Sequence, residues 1–111
     1  MKRIVSVVTL IAAFALAVAL PAGASIPSYK GVVGPGFTIS MVSSPKKVGK
    51  IKLTIVDKSN AHNFHLTGPG VNVKTSIPLE GTKVFTITLK KGTYKYVCDP
   101  HLFMKGQFTV K

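Results

Sequence analysis

The chain has 111 residues, 15 lysines and arginines against three carboxylates, and a formal net charge of +12. A single cysteine excludes any internal disulfide, and a chain of this length has room for one small domain, burying roughly 60–65% of its unfolded surface. Beyond residue 24 every basic residue is a lysine, spread from Lys30 to Lys111, so the arginine-and-aromatic face used to read or stack on nucleic acid is missing.

The charge therefore reads as a solvated surface that attracts anionic envelope polymers or acidic partner proteins. The lysine pairs Lys46-Lys47 and Lys90-Lys91 read as solvated turns.

Residues 1–24 have the three parts of a secretory signal peptide. Lys2 and Arg3 form the positive end, Ile4 to Leu20 is an apolar run, and Pro21 with Ala22-Gly23-Ala24 supplies the small-residue cleavage site, with the cut expected before Ser25. The alternative is an uncleaved anchor, since the run just reaches the shortest spanning length of roughly 17 residues. After cleavage no stable membrane span remains. The expected product is an exported monomeric domain, residues 25–111, in a periplasm or at the cell envelope.

In chain order, the signals after residue 24 are all β. Residues 36–42 (GFTISMV) alternate Phe37, Ile39 and Met41 against smaller or polar neighbours, and 50–57 (KIKLTIVD) alternate Ile51, Leu53 and Ile55 against Lys50, Lys52 and Thr54. A turn at Lys58-Ser59-Asn60 leads to 62–66 (HNFHL), then to the breaker Gly68-Pro69-Gly70 and a short extended 71–76. Residues 82–90 place Phe85, Ile87 and Leu89 on one face. Lys91-Gly92 turns into 93–98 (TYKYVC), where Tyr94, Tyr96 and Cys98 share a face, and 105–111 closes the chain. About seven short strands without a helix predict an antiparallel sandwich or small barrel.

The lone thiol sits in CDPHLFM, residues 98–104. Cys98, His101 and Met104 offer a thiolate, an imidazole and a thioether from one loop, and Cys plus two His with a weak Met is the ligand set of a blue copper site. A structural zinc site would use four Cys or His ligands and omit the methionine. The second histidine must be His62 or His65, which have opposite parity on a regular strand. The apolar set His62, Phe64 and Leu66 turns His62 toward the core, while a bulge after Asn60 would select His65 instead. Asn63 could hydrogen-bond across to the Cys98 loop and orient it. Pro100 stiffens that loop and removes a backbone donor near the metal.

With His62-Asn63 followed by Gly92-Thr93-Tyr94-Lys95-Tyr96-Val97-Cys98-Asp99-Pro100-His101, the chain resembles the cupredoxins, small blue copper proteins, in their plastocyanin and amicyanin branch. The resemblance runs from about Gly36 to Lys111. It implies a Greek-key β-sandwich of seven to eight strands and one copper held by His62, Cys98, His101 and Met104, with Asn63 supporting the ligands. It also places a second, non-ligating histidine at His65. The short Cys-x2-His-x2-Met spacing is similar to amicyanin's. Two departures stand out: the domain is shorter than most relatives, and no acidic docking patch is present, which points to acidic partners.

No acid, base or nucleophile constellation accompanies the ligand set. The expected function is single-electron transport between redox partner proteins by Cu(II)/Cu(I) cycling, not enzymatic catalysis. The family resemblance makes His101 the ligand that reaches the surface, with Leu102 and Phe103 as a candidate docking patch. A copper chaperone or storage protein using the same ligands, and a structural sandwich that binds no metal, are the alternatives.

Overall fold

The computed structural model describes residues 25–111, and the signal peptide expected over 1–24 lies outside them. Eight strands follow one another: β1 (Ser28–Val33), β2 (Ile39–Met41), β3 (Gly49–Asp57), β4 (His65–Gly68), β5 (Val71–Lys74), β6 (Gly81–Leu89), β7 (Gly92–Cys98) and β8 (His101–Val110). They form two four-stranded sheets, β2-β1-β3-β6 (sheet A) and β5-β4-β7-β8 (sheet B). The result is an all-β sandwich, as the alternation predicts. Every pair is antiparallel except β1 and β3, which run parallel.

The inner faces come from period-two patterning. Ile51, Leu53 and Ile55 of β3 and Ile87 and Leu89 of β6 point inward from sheet A, and Tyr94, Tyr96, Phe108 and Val110 point inward from sheet B. Each such aliphatic side chain contributes about 1.5–3 kcal/mol on burial. Two ring stacks, Phe64 on Tyr96 at 5.1 Å and Tyr94 on Phe108 at 5.4 Å, fill the middle of sheet B. Tyr94 is wholly enclosed, and its hydroxyl donates to the Pro69 carbonyl and accepts from the Lys90 N–H, both at 2.8 Å.

Four details differ from the sequence expectation. Strand β1 carries too weak a pattern to be seen: its inward row is Tyr29, Gly31 and Val33, and Gly31 is small because a Cβ there would meet Ile55 and Phe64 at 2.9 Å. The expected strand 36–42 shrinks to three residues, leaving Phe37 outside it and 63% exposed. The expected strand 62–66 begins only at His65, so His62, Asn63 and Phe64 are all buried and the parity argument does not hold there. The final strand starts four residues early, at His101, so two of the expected loop ligands lie on β8.

The sandwich has two ends. Gly49 pairs with Leu89 and Gly92 with Val110 at one end, while Asp57 pairs with Gly81 and Cys98 with His101 at the other. The second end carries the site.

Candidate metal centre

Strand β7 delivers Cys98 at its inward-facing last position, and the two-residue turn Asp99-Pro100 reverses the chain so that His101 opens β8 directly opposite. Register slips between Val97 and Cys98, and such a bulge re-aims the side chains beside it. His62 arrives from the irregular segment between β3 and β4, 3% exposed. The two imidazoles present Nδ1 to the sulfur and to each other. The edges are 3.0 Å between His62 and His101, 3.5 Å from Cys98 Sγ to His101 and 3.7 Å from Cys98 Sγ to His62.

Three ligands spread evenly around one ion, with bonds of about 2.0–2.1 Å to nitrogen and 2.3 Å to sulfur, give a nitrogen–nitrogen edge near 3.5–3.6 Å and nitrogen–sulfur edges near 3.7–3.8 Å. The Cys98–His62 edge falls there, the Cys98–His101 edge is short by about 0.2 Å and the nitrogen pair by about half an ångström, so a small opening lets the donor set hold one metal ion. Among the described residues, His62, Cys98 and His101 form the one such group. Met104 lies three residues beyond His101 on β8, 2% exposed and within the buried cluster that includes Cys98. Its inward parity is shared with Phe108 and Val110. One thiolate, two imidazoles and a neighbouring thioether are a donor set suited to copper.

His65 sits elsewhere. Its Nδ1 lies 2.8 Å from Asp99 Oδ1 and its Nε2 2.7 Å from Asn72 Oδ1, so both nitrogens are engaged away from the sulfur. Asn63, 2% exposed, spans from the His62 segment to the turn: its amide donates to the Thr75 carbonyl at 3.2 Å and to Asp99 Oδ2 at 2.9 Å. Its carbonyl accepts the Asp99 N–H at 2.8 Å. Partial burial pushes the Asp99 carboxyl up, but the bonds from Asn63 and His65, with the nearby charges of His65 and Lys74, more than offset this and hold it below its ordinary value. Pro100 is an exposed turn residue.

The rim is apolar. Leu102 and Phe103, at the overhanging start of β8, are 67% and 66% exposed. Phe37, reaching over from sheet A, lies 5.4 Å from the His62 ring, 5.1 Å from the His101 ring and 5.6 Å from Phe103. The local sequence pattern carries no sign of this placement, since the contact joins segments far apart in the chain. The preceding Gly34-Pro35-Gly36, with Gly34 at φ 68° and Gly36 at φ 76°, is a breaker that could have argued against starting a strand there.

Comparison with known proteins bears on the family and the fold. A family model described as "Cupredoxin-like domain" matches residues 7–110. Amicyanin-alpha of Methylorubrum extorquens is 40% identical over 53 residues, 45% of this chain and 44% of that protein, so the match spans less than half of the relative's length. Among solved structures, the Cu(I) form of a methionine-to-alanine variant of amicyanin superposes with a TM-score of 0.58 at 22% identity, covering 81% of this chain and 88% of that one. Reduced rusticyanin does so with a TM-score of 0.56 at 24% identity, covering 76% of each chain.

Proposed function

The chain belongs to the cupredoxin-like family, with copper as its cofactor, and on that premise we propose that it is an exported one-electron carrier whose ion is held by His62, Cys98, His101 and Met104. The observation that carries this reading is the closed triangle of two Nδ1 atoms and one sulfur, with edges of 3.0 to 3.7 Å, beside a buried methionine. Copper bound there supplies a single-electron couple, Cu(II)/Cu(I).

The chain's own residues do the rest. Burial of His62, Cys98 and Met104 keeps water from the donors. Asn63 and Asp99 lock the turn between Cys98 and His101 to the His62 segment through hydrogen bonds in both directions, so the donors keep their places when the charge of the site changes. His101 is only half-buried, which makes its ring the edge a partner can approach. The apolar collar of Leu102, Phe103 and Phe37 surrounds that edge. The lysine excess favours acidic redox partners, and their association weakens as salt rises.

Export to a periplasm or cell surface, with residues 25–111 acting as a monomer, completes the proposal. It rests on the leader-like first 24 residues. Titration of the purified protein with Cu(II) tests the reading. One ion per chain and an intense thiolate-to-copper band that bleaches reversibly on reduction are expected, with the band lost in Cys98→Ser and kept in His65→Ala. A colourless, exchangeable Cu(I) site without a reversible couple would favour copper delivery instead.

A further inference from the structure

We propose that the outer face of sheet B, at the end carrying the metal centre, is the docking surface for an acidic protein partner, with Lys74 and Lys105 as its charged anchors and Phe103 as its apolar edge. The proposal rests on the electron-carrier reading and adds to it the surface on which the partner sits.

Strand register lays this face out in rows. Lys74, His65, Val97 and Lys105 stand opposite one another across all four strands, and Asn72, Thr67, Lys95 and Gln107 form the next row away from the site. Members of both rows are exposed or half-buried, while the alternating residues Leu66, Tyr96 and Phe108 face the core. The first row is one step from the Cys98–His101 pair. Two residues before Lys105 on β8, Phe103 continues the face to the His101 ring, 5.9 Å away. Lys95, Lys105, Val97, Thr67 and Gln107 border a shallow cleft of about 490 Å³.

Charge on this face is compensated only in part, by Asp99, whose carboxyl feels the Lys74 charge without pairing with it. That carboxylate is already bonded by Asn63 and His65, and the Lys74 and Lys105 ammonium groups have no carboxylate partner among the described residues. Sheet A also carries lysines: Lys50 and Lys52 lie toward the far end, opposite Thr88 and Thr86, while Lys83, nearer the metal end opposite Ile55, has its ammonium 5.9 Å from the centre of the Phe85 ring. An acidic surface drawn to Lys50 and Lys52 would sit away from His101, whereas one drawn to Lys74 and Lys105 is brought over Phe103 and the half-buried imidazole. Like-signed charge near the redox edge thus sets orientation as well as attraction.

Titrating 15N-labelled, Cu(I)-loaded protein with an octaglutamate peptide at low ionic strength tests the surface directly. Amide shifts are expected to concentrate at Lys74, Lys95, Val97, Phe103 and Lys105, and to collapse at about 0.5 M salt. Shifts spread equally over Lys50, Lys52 and Thr86, or none at all, overturn the proposal. A kinetic arm uses two doubly substituted proteins with the same change in charge, Lys74→Glu/Lys105→Glu and Lys50→Glu/Lys52→Glu. Hexacyanoferrate(III) takes one electron from each Cu(I) protein, leaving Cu(II) and hexacyanoferrate(II). The first pair is expected to slow this step roughly tenfold at low salt, the low end of electrostatic steering, and the second by less than about twofold. Equal slowing by both pairs shows an effect of net charge alone and overturns the docking face. The visible band of each protein is recorded first: its absence in the wild type overturns the carrier reading itself, whereas a normal band with equal slowing removes only the docking face.

Discussion

Replacing Asn63 by leucine keeps the side-chain size while deleting three hydrogen bonds at once: those to the Thr75 carbonyl, to Asp99 Oδ2 and from the Asp99 N–H. Each buried group left without a partner costs about 1–3 kcal/mol. Thr75 is buried, so its carbonyl carries that cost in full; the Asp99 side chain is 37% exposed, so water reaches its carboxylate and partly reaches its N–H. The sum is about 3 kcal/mol of lost stability. Since a change of 1 kcal/mol moves the midpoint of an 87-residue described domain by about 4–8 °C, a fall of roughly 12–24 °C is expected. The measurement belongs on metal-free protein, by urea and thermal denaturation with an unchanged urea m-value, so that copper binding adds nothing. Copper affinity, measured separately, should drop about 10- to 100-fold because the turn carrying Cys98 and His101 is no longer tied to the His62 segment. A stability loss below about 1 kcal/mol would show that solvent replaces these bonds and that the turn is not held from within.

Tyr94→Phe, which strips the hydroxyl shared by Pro69 and Lys90 at the end remote from the metal centre, should cost about 2 kcal/mol in thermal denaturation and leave the copper band unchanged. Asp57 is 2% exposed, and its Oδ2 has no hydrogen-bond partner among the described residues. Burial raises its carboxyl above the ordinary value, partly offset by the Ser59 N–H and His62. The folded state therefore holds this proton more tightly than the unfolded chain, and Asp57's contribution is greatest below about pH 3.9 and is lost as pH rises through the raised folded value. The stability of Asp57→Asn minus that of the wild type should accordingly climb across that window and then level off; a flat difference in urea titrations from pH 3 upward, an interval set by the ordinary carboxylate range, would contradict the assignment. Phe37→Ala removes the ring that lies against both imidazoles, worth about 1 kcal/mol or more per aromatic pair, and copper loss to a chelator should quicken by roughly fivefold or more while Phe37→Tyr stays near wild type.

Most of the sandwich was legible because its longest strands keep period two over a half-buried surface. In β3 the residues Ile51, Leu53 and Ile55, and in β7 the residues Tyr94, Tyr96 and Cys98, all point inward where alternation places them. Strand β1 escaped notice because packing demanded a glycine at its centre, and a residue without a side chain carries no hydrophobic signal. The candidate ligand types were readable from Cys98, His101 and Met104 in one short stretch, since chemistry and local spacing are properties of the chain itself.

What the chain alone determined, then, was an all-β domain with one soft donor set and a lysine-rich surface. Tertiary structure decided which groups face one another. His62 and His65 differ by three positions, and because residues 62–64 are irregular and buried throughout, parity had no authority over them; the fold sets one against Cys98 and the other against Asp99 and Asn72. Phe37 lies 64 residues before His101 in sequence, and only the stacking of the two sheets brings their rings to 5.1 Å. The same holds for the lysines. Their number was written in the composition, but strand register alone places Lys74 and Lys105 beside the metal end and Lys50 and Lys52 toward the other, because a surface charge acquires an address only when the strands pair.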